Sequence, residues 1–470
     1  MMKKSLITFL SGICLVAASL AFTSCGGNKP ASGSDSVGEH THDFVLTEEV
    51  EPTCTDYGYK DYICTVDGCG ETKEEFIDPL GHKVKEGKCT RENCDLEVPT
   101  DFLVEIPDGR DAVILQLTDP QVVDSAKVRY PDRLGQTHVD FYNIANRQRI
   151  CYDYITETIN EVKPDLIILT GDIVYGEFDD DGEVFKDFVD FMEGFGIPWA
   201  PVFGNHENEA YIGVDWQCKQ LEEAENCLFL QRKLTGNGNY TVGIMRNNEI
   251  ERVFFMLDSN GCGGASAASI ANGHTTTARG FGADQVRWYT ERAGVIRREY
   301  PDVRYSFAFH IQPYAFVLAM KKYGYDGTRT PVNIFAAANR EPTDFGYVAW
   351  GVEQWDVDKT IFNGLKALGC DSIFVGHEHR INASVVYEGV RLQYGQKSSE
   401  YDSHMRVDVN TGKIVADYPN NDGLLPIIGG TVIPLSEDTG RLEQPYIYLC
   451  KNAGGDYFAK YNDPCVVTKK

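Results

Sequence analysis

The chain has 470 residues, 42% of them hydrophobic, which is enough for two or three domains with a sizeable core. A formal net charge of −26 excludes nucleic acid as an expected partner, because phosphate backbones are gripped by a basic footprint. For the same reason an anionic substrate must be held by local positive charge rather than steered by the global field.

Taken in chain order, the first residues read as an export signal. Lys3 and Lys4 supply a positive start, and "SLITFLSGICLVAASLAF" supplies an apolar segment short of the roughly 20 residues a membrane span needs. The ending "FTSC" resembles a bacterial lipoprotein signal. That resemblance implies removal of residues 1–24, a lipid on Cys25, and a membrane-anchored protein at the bacterial cell surface or in the periplasm; ordinary secretion is the alternative. No later apolar stretch is long enough to span a bilayer. Residues 25–39, glycine- and serine-rich, read as a flexible tether.

Residues 40–98 differ in composition from everything downstream. Alternating segments such as "YKDYICTV" predict short strands separated by turns, a small Cys-rich β module. It resembles the TCT-x-x-G…GH modules repeated in bacterial surface proteins, with a truncated second copy beginning at Cys89. A cell-surface ligand is the partner this resemblance suggests. Of 14 cysteines, twelve remain after Cys14 and Cys25. Cys64/Cys69 and Cys89/Cys94 form two C-x4-C pairs, wider than the C-x2-C knuckle that lets two thiolates face one tetrahedral zinc. Structural disulfides, a structural zinc and free thiols are the alternatives, in that order.

From 101 to 410 strands alternate with helices. "AVILQLTD" is a β-rich run ending at Asp119, and "RQRICYDYITETINEV" (147–162) places Cys151, Tyr154, Ile155, Ile159 and Val162 on one helical face before Pro164 stops it. "DLIILTGD", "IPWAPVFGN", "RVFFMLDSN", "RYSFAFHI" and "CDSIFVGHEH" repeat one arrangement, an apolar strand with polar residues at its carboxyl end. Such alternation predicts an α/β layered fold, in which ligands sit at the carboxyl ends of strands. Residues 411–470 read as a short β-rich extension in which Cys450 and Cys465 could close a loop.

The strand-end residues are Asp119, Asp172 with Tyr175, Asn205 and His206, His310, then His377 and His379. Carboxylates and an amide mixed with imidazoles suit iron, zinc or manganese. The glycines before Asp172, Asn205 and His377 are expected to let the chain turn sharply. The order D … G-D-x-x-Y … G-N-H-E … H … G-H-x-H resembles the calcineurin-like metallophosphoesterases, and its tyrosine spacing is similar to that of the purple acid phosphatases. The resemblance implies a four-layer α/β/β/α sandwich holding two metal ions. Asp172 would bridge them, Asp119 and His379 would complete the first site, and Asn205, His310 and His377 the second. His206 would stand near the leaving group. Most of the family has D-x-H, whereas "TDPQ" puts Gln121 there. Purple acid phosphatases also lack that histidine and use the tyrosine instead, so Tyr175 is the expected replacement ligand, implying iron paired with iron, zinc or manganese.

The expected activity is therefore that of an exported metal-dependent phosphoesterase. It would hydrolyse small phosphate monoesters by direct attack of a metal-bound hydroxide, with His206, oriented by Glu207, serving the leaving oxygen. Phosphodiesterase, nucleotidase or pyrophosphatase activity on the same centre, and a non-catalytic adhesion protein, are the competing readings. Arg279, Lys397 and His404 lie in polar loops near the expected pocket and read as solvated rather than as phosphate contacts.

Overall fold

A computed structural model describes residues 41–123, 147–261, 279–328, 330–349, 355–401, 404–415, 424–458 and 465–468. The export signal, Cys25 and the tether lie outside the described residues. The chain divides into two compact units, Met1–Pro79 and Leu80–Lys470.

In the first unit β1 (Phe44–Val50), β2 (Gly58–Cys64) and β3 (Thr72–Ile77) form an antiparallel sheet in that order. Val45, Leu46, Ile63 and Phe76 are exposed, and among the described residues only Pro52 and Cys64 have buried apolar side chains. A unit of this size without an apolar core needs another source of stability.

The second unit opens with β4 (Val84–Lys85), β5 (Lys88–Cys89), β6 (Phe102–Glu105) and β7 (Ala112–Leu117). Then come α1 (Arg147–Val162), β8 (Leu166–Leu169), α2 (Glu183–Glu193), β9 (Trp199–Pro201) and α3 (Val214–Glu223). A hairpin of β10 (Tyr240–Arg246) and β11 (Glu249–Met256) leads to α4 (Ala283–Glu299), β12 (Arg304–Ala308) and α5 (Ala315–Lys321). The short pair β13 (Val332–Asn333) and β14 (Tyr347–Val348) precedes α6 (Thr360–Ala367), β15 (Cys370–Val375), β16 (Ser384–Tyr387) and β17 (Val390–Tyr394). Small strands β18 (Arg406–Asp408), β19 (Ile414–Val415) and β20 (Leu424–Pro426) lead to β21 (Gly429–Leu435), β22 (Tyr446–Leu449) and β23 (Val466–Thr468).

Two sheets carry the unit. One has the order β23-β22-β21-β7-β8-β9 and the other β16-β17-β15-β12-β11-β10-β6-β4-β5. One apolar core fills the space between them and beneath α1, α2 and α3; a second lies between the nine-stranded sheet and α4, α5 and α6. The layers are thus α/β/β/α, the expected class. Covering on both faces explains why β8 reads "LIIL" without alternation: every residue of it is buried. Helix α1 buries Cys151, Ile155 and Ile159, with Tyr154 and Val162 at the margin of the same core.

Two expected boundaries are corrected. Residues 80–98 do not belong with the Cys-rich sheet: Lys85 pairs with Phe102, and Val84 and Val98 are buried in the second core. Residues 411–470 are no appendage either, because β21 pairs antiparallel with β7 from Ala112 to Gln116, and Val432, Ile433 and Leu435 are buried between the layers. No disulfide closes Cys450 to Cys465. Cys450 Sγ lies 3.3 Å from Thr158 Oγ1, and Cys465 Sγ accepts from Arg340 Nη2 at 3.1 Å.

Candidate metal centre

The strands β7, β8 and β9 run parallel in one sheet, and β12 and β15 run parallel in the other. Their carboxyl ends deliver Asp119, Asp172, Asn205, His310, and His377 with His379 to one place. Asp119, Asp172 and His377 each take left-handed backbone, at φ 50°, 52° and 71°. Strain of this kind costs about 1–3 kcal/mol per residue and persists only where surrounding contacts enforce it. The glycines act differently from expectation. Gly171 does turn at φ 89°, but at Gly204 and Gly376 the requirement is room: a Cβ would collide with Asp172 Oδ1 at the first and with Thr118 Oγ1 at the second.

Asp172, His310 and His377 form one group of donors, and Asp119, Asp172 and His379 form another, with the ligand atoms of each within 4.8 Å of one another. Asp172 is common to both. Its Oδ1 accepts the backbone N–H groups of Asn205 (2.8 Å) and His206 (3.0 Å), while its Oδ2 lies 3.2 Å from His310 Nε2. His310 is oriented by its other nitrogen, Nδ1 donating to Thr170 O at 2.8 Å, so Nε2 points toward Asp172 and Asn205 Oδ1. His379 Nε2 is 3.1 Å from Asp119 Oδ1, and the His377 backbone N–H donates to the same carboxylate. His377 and His310 rings meet edge to face at 5.1 Å.

Burial would push both carboxyl pKa values up, yet the imidazoles opposite hold Asp119 and Asp172 below the ordinary carboxylate range. In turn burial would lower the His310 pKa, but the Asp172 charge raises it to about 9. Ionised carboxylates are the state a cation requires, and entering metal displaces the imidazole protons. The donor set therefore fits a pair of ions sharing Asp172.

Tyr175 and Gln121 stand beside this group. The Tyr175 ring stacks on the His206 ring, centroids 4.2 Å apart and planes 25° apart. Gln121 is buried and spans two charges: its Nε2 donates to Asp172 Oδ2 at 3.4 Å, and its Oε1 accepts from Lys397 Nζ at 3.0 Å. Lys397 also donates to Asp119 O at 2.8 Å and is only 2% exposed. Reading Lys397 as a solvated loop lysine is thereby overturned, and His404 is buried as well, whereas Arg279 is exposed.

His206 is not partnered by Glu207. Glu207 is fully buried and accepts the backbone N–H groups of Ile173 and Gly204, tying the β8 and β9 loops together. Burial and the Asp172 charge raise its carboxyl pKa to about 8. The partner of His206 is Glu209, with Oε2 2.7 Å from His206 Nδ1. Burial would lower the His206 pKa, but the charges of Glu209 and Asp172 raise it well above its ordinary value. The i,i+3 spacing on the short 3-10 turn Glu207–Glu209 was the available sequence signal.

An α/β/β/α sandwich whose strand ends gather donors for two ions around one shared aspartate defines a class of metal-dependent hydrolase scaffold. The family model described as Calcineurin-like phosphoesterase matches residues 112–380, more than half of the chain. The chain belongs to the calcineurin-like phosphoesterase family, whose members work with a dinuclear metal centre. Among curated relatives, "Probable inactive purple acid phosphatase 29" of Arabidopsis thaliana is 24% identical over 311 residues, covering 60% of this chain and 70% of the plant protein. "Phosphatase DCR2" of Saccharomyces cerevisiae is 24% identical over 245 residues, 48% of this chain but only 38% of the yeast protein. Among solved structures, a dimetal phosphatase from Danio rerio aligns over 72% of this chain and 98% of its own at 11% identity, with a TM-score of 0.37. Purple acid phosphatase PPD1 from yellow lupin aligns over 84% and 60% at 10% identity, also with a TM-score of 0.37.

Proposed function

We propose that this chain is an exported phosphoesterase that hydrolyses small phosphate monoesters, anchored to the membrane through lipid on Cys25. One observation carries the catalytic part: two donor groups share Asp172 at the carboxyl ends of parallel strands from both sheets. A bound metal pair supplies Lewis acidity, bringing the pKa of a water to about 7 and offsetting phosphoryl charge. The protein's own residues do the rest. His206, hydrogen-bonded to Glu209, would serve a leaving oxygen. Glu207 fixes the loop that carries it.

Tyr175 is assigned as a ligand on the iron of a purple acid phosphatase-like site, supported by its G-D-x-x-Y spacing and by its place against His206. Iron-loaded protein should show a broad visible charge-transfer band that Tyr175→Phe removes; a colourless, fully active iron enzyme overturns this assignment.

The test of function is a panel of p-nitrophenyl mono- and diesters, with metal analysis on the same sample. Turnover of the monoester ahead of the diester supports the reading, and diester preference moves it to a phosphodiesterase. Two observations favour a second reading, a phosphate-binding protein without turnover: the buried Gln121–Lys397 pair where most of the family places a histidine, and the word "inactive" in a plant relative's name. A protein that keeps the ions of its strand-end centre, cleaves neither ester, nucleotide nor pyrophosphate, and binds inorganic phosphate would establish it.

A further inference from the structure

The two C-x4-C pairs build the same cup twice. In the first unit the segment is Cys64-Thr-Val-Asp-Gly-Cys69, and in the second it is Cys89-Thr-Arg-Glu-Asn-Cys94. Both follow C-T-x-(acid)-(Gly or Asn)-C. The residue before the second cysteine is left-handed in each, Gly68 at φ 77° and Asn93 at φ 60°, a conformation for which glycine and asparagine are the residues of choice.

The backbone hydrogen bonds repeat as well. Cys64 N donates to Glu71 O (2.8 Å) and Cys89 N to Leu96 O (3.0 Å), each seven residues on. Thr65 N donates to Asp43 O and Thr90 N to Lys83 O, both at 2.8 Å. Those two acceptors are the residues directly after His42 and His82, so the turn fixes a histidine beside the two sulfurs in each cup. His42 Nδ1 lies 3.3 Å from Cys69 Sγ, and His82 Nδ1 lies 3.2 Å from Cys94 Sγ. The donor atoms of His42, Cys64 and Cys69 all lie within 4.8 Å of one another, as do those of His82, Cys89 and Cys94. The His82 Nε2 edge faces Glu105 Oε1 at 3.8 Å, the carboxylate backing common for metal-bound imidazole.

Two sulfurs and one imidazole nitrogen are the donor set of structural zinc, and at Zn–S of about 2.3 Å neighbouring ligands of a tetrahedron stand about 3.7 Å apart. A disulfide would use the two sulfurs and leave the repeated placement of histidine without purpose. We propose that each cup binds one zinc ion, through His42, Cys64 and Cys69 in the first unit and His82, Cys89 and Cys94 in the second. A further donor or a water completes each tetrahedron, and two thiol protons leave per site. In the first unit, where only Pro52 and Cys64 among the described residues have buried apolar side chains, the ion replaces the missing core. The C-x4-C spacing is wide for a zinc knuckle, and the left-handed fourth residue between the cysteines is what closes it.

The experiment is zinc release from the whole chain by an organomercurial, which displaces metal from thiolates and leaves the cysteine-free Asp–His centre untouched. About two zinc ions per chain should appear, and Cys64→Ser/Cys69→Ser and Cys89→Ser/Cys94→Ser should each lose one. Cobalt-substituted protein should show thiolate charge transfer that falls by about half in either double variant. If a variant fails to fold, the wild-type count still decides. Absence of mercurial-released zinc, or finding these four cysteines oxidised to disulfides in freshly purified protein, overturns the proposal. Failure of the phosphoesterase reading would leave this count unchanged.

Discussion

Glu207 and Glu209 lie two residues apart and do different work. Glu207 is a clamp for backbone amides, whereas Glu209 reaches the imidazole of His206. His206→Ala should therefore retain metal while the rate falls about 10²–10⁴-fold, the range for loss of a general acid. Glu209→Gln should give a smaller loss, with metal content again unchanged. Metal analysis beside kcat on each purified variant checks both, and loss of metal in His206→Ala would move His206 into the ligand set. Lys397 belongs to the same scale. Its ammonium donates to Asp119 O and Gln121 Oε1, beside the carboxylates that would hold the ions. Lys397→Met should weaken metal retention by about 10–100-fold, as loss of an outer partner does in other centres; competition against a graded chelator measures it.

At the scale of elements, the strands bearing His310, His377 and His379 are locked at their far ends. Arg252 on β11, with no exposed side-chain surface, donates to both oxygens of Asp371 on β15 at 2.8 Å and to Ser306 Oγ on β12 at 2.7 Å. Removing one partner of a fully buried pair costs about 3–5 kcal/mol; Asp371 keeps 32% of its side-chain surface, so Arg252→Ala leaves a partly solvated carboxylate and should lower stability by less than that at neutral pH. Burial would raise the Asp371 pKa, but Arg252 holds it below its ordinary value. A folded-state pKa below the unfolded one means the contribution is present above the unfolded value, near 4, and is lost as pH falls through the folded one. Denaturant unfolding of wild type and variant should thus show a gap that narrows below about pH 4. The strand ends and their polar residues were legible in sequence because buried parallel strands are continuous apolar runs, and a polar residue ending one is conspicuous. The edges were not: β21 has the composition of any short strand, and only its pairing with β7 makes it part of the sandwich. Glu209 and Lys397 were hidden for a related reason, since one partners a side chain across a turn and the other reaches the site from 276 residues away in the chain.

At the scale of the whole molecule, the acidic chain concentrates buried carboxylates where the metals would sit. Asp119 and Asp172 are each 1% exposed, and among the described residues their cationic neighbours are imidazoles and the single ammonium of Lys397. Like charges held this close and this deep favour any cation that binds the folded state and not the unfolded one. Such binding stabilises by RT ln(1 + [L]/Kd), about 2.7 kcal/mol when free metal is 100 times Kd. Treating the protein at neutral pH with a chelator should therefore lower its melting temperature, and returning zinc, manganese or iron should restore it. The proposed cysteine–histidine cups, one in each unit, would also register with a chelator strong enough to strip them. Asp172→Ala separates the contributions: having lost the shared ligand, it should keep any response from the thiolate sites and lose the response from the strand-end centre. Wild type and Asp172→Ala showing the same change in melting temperature upon chelation would mean that Asp172 joins no metal site, and the sandwich would then have to hold its substrate without one.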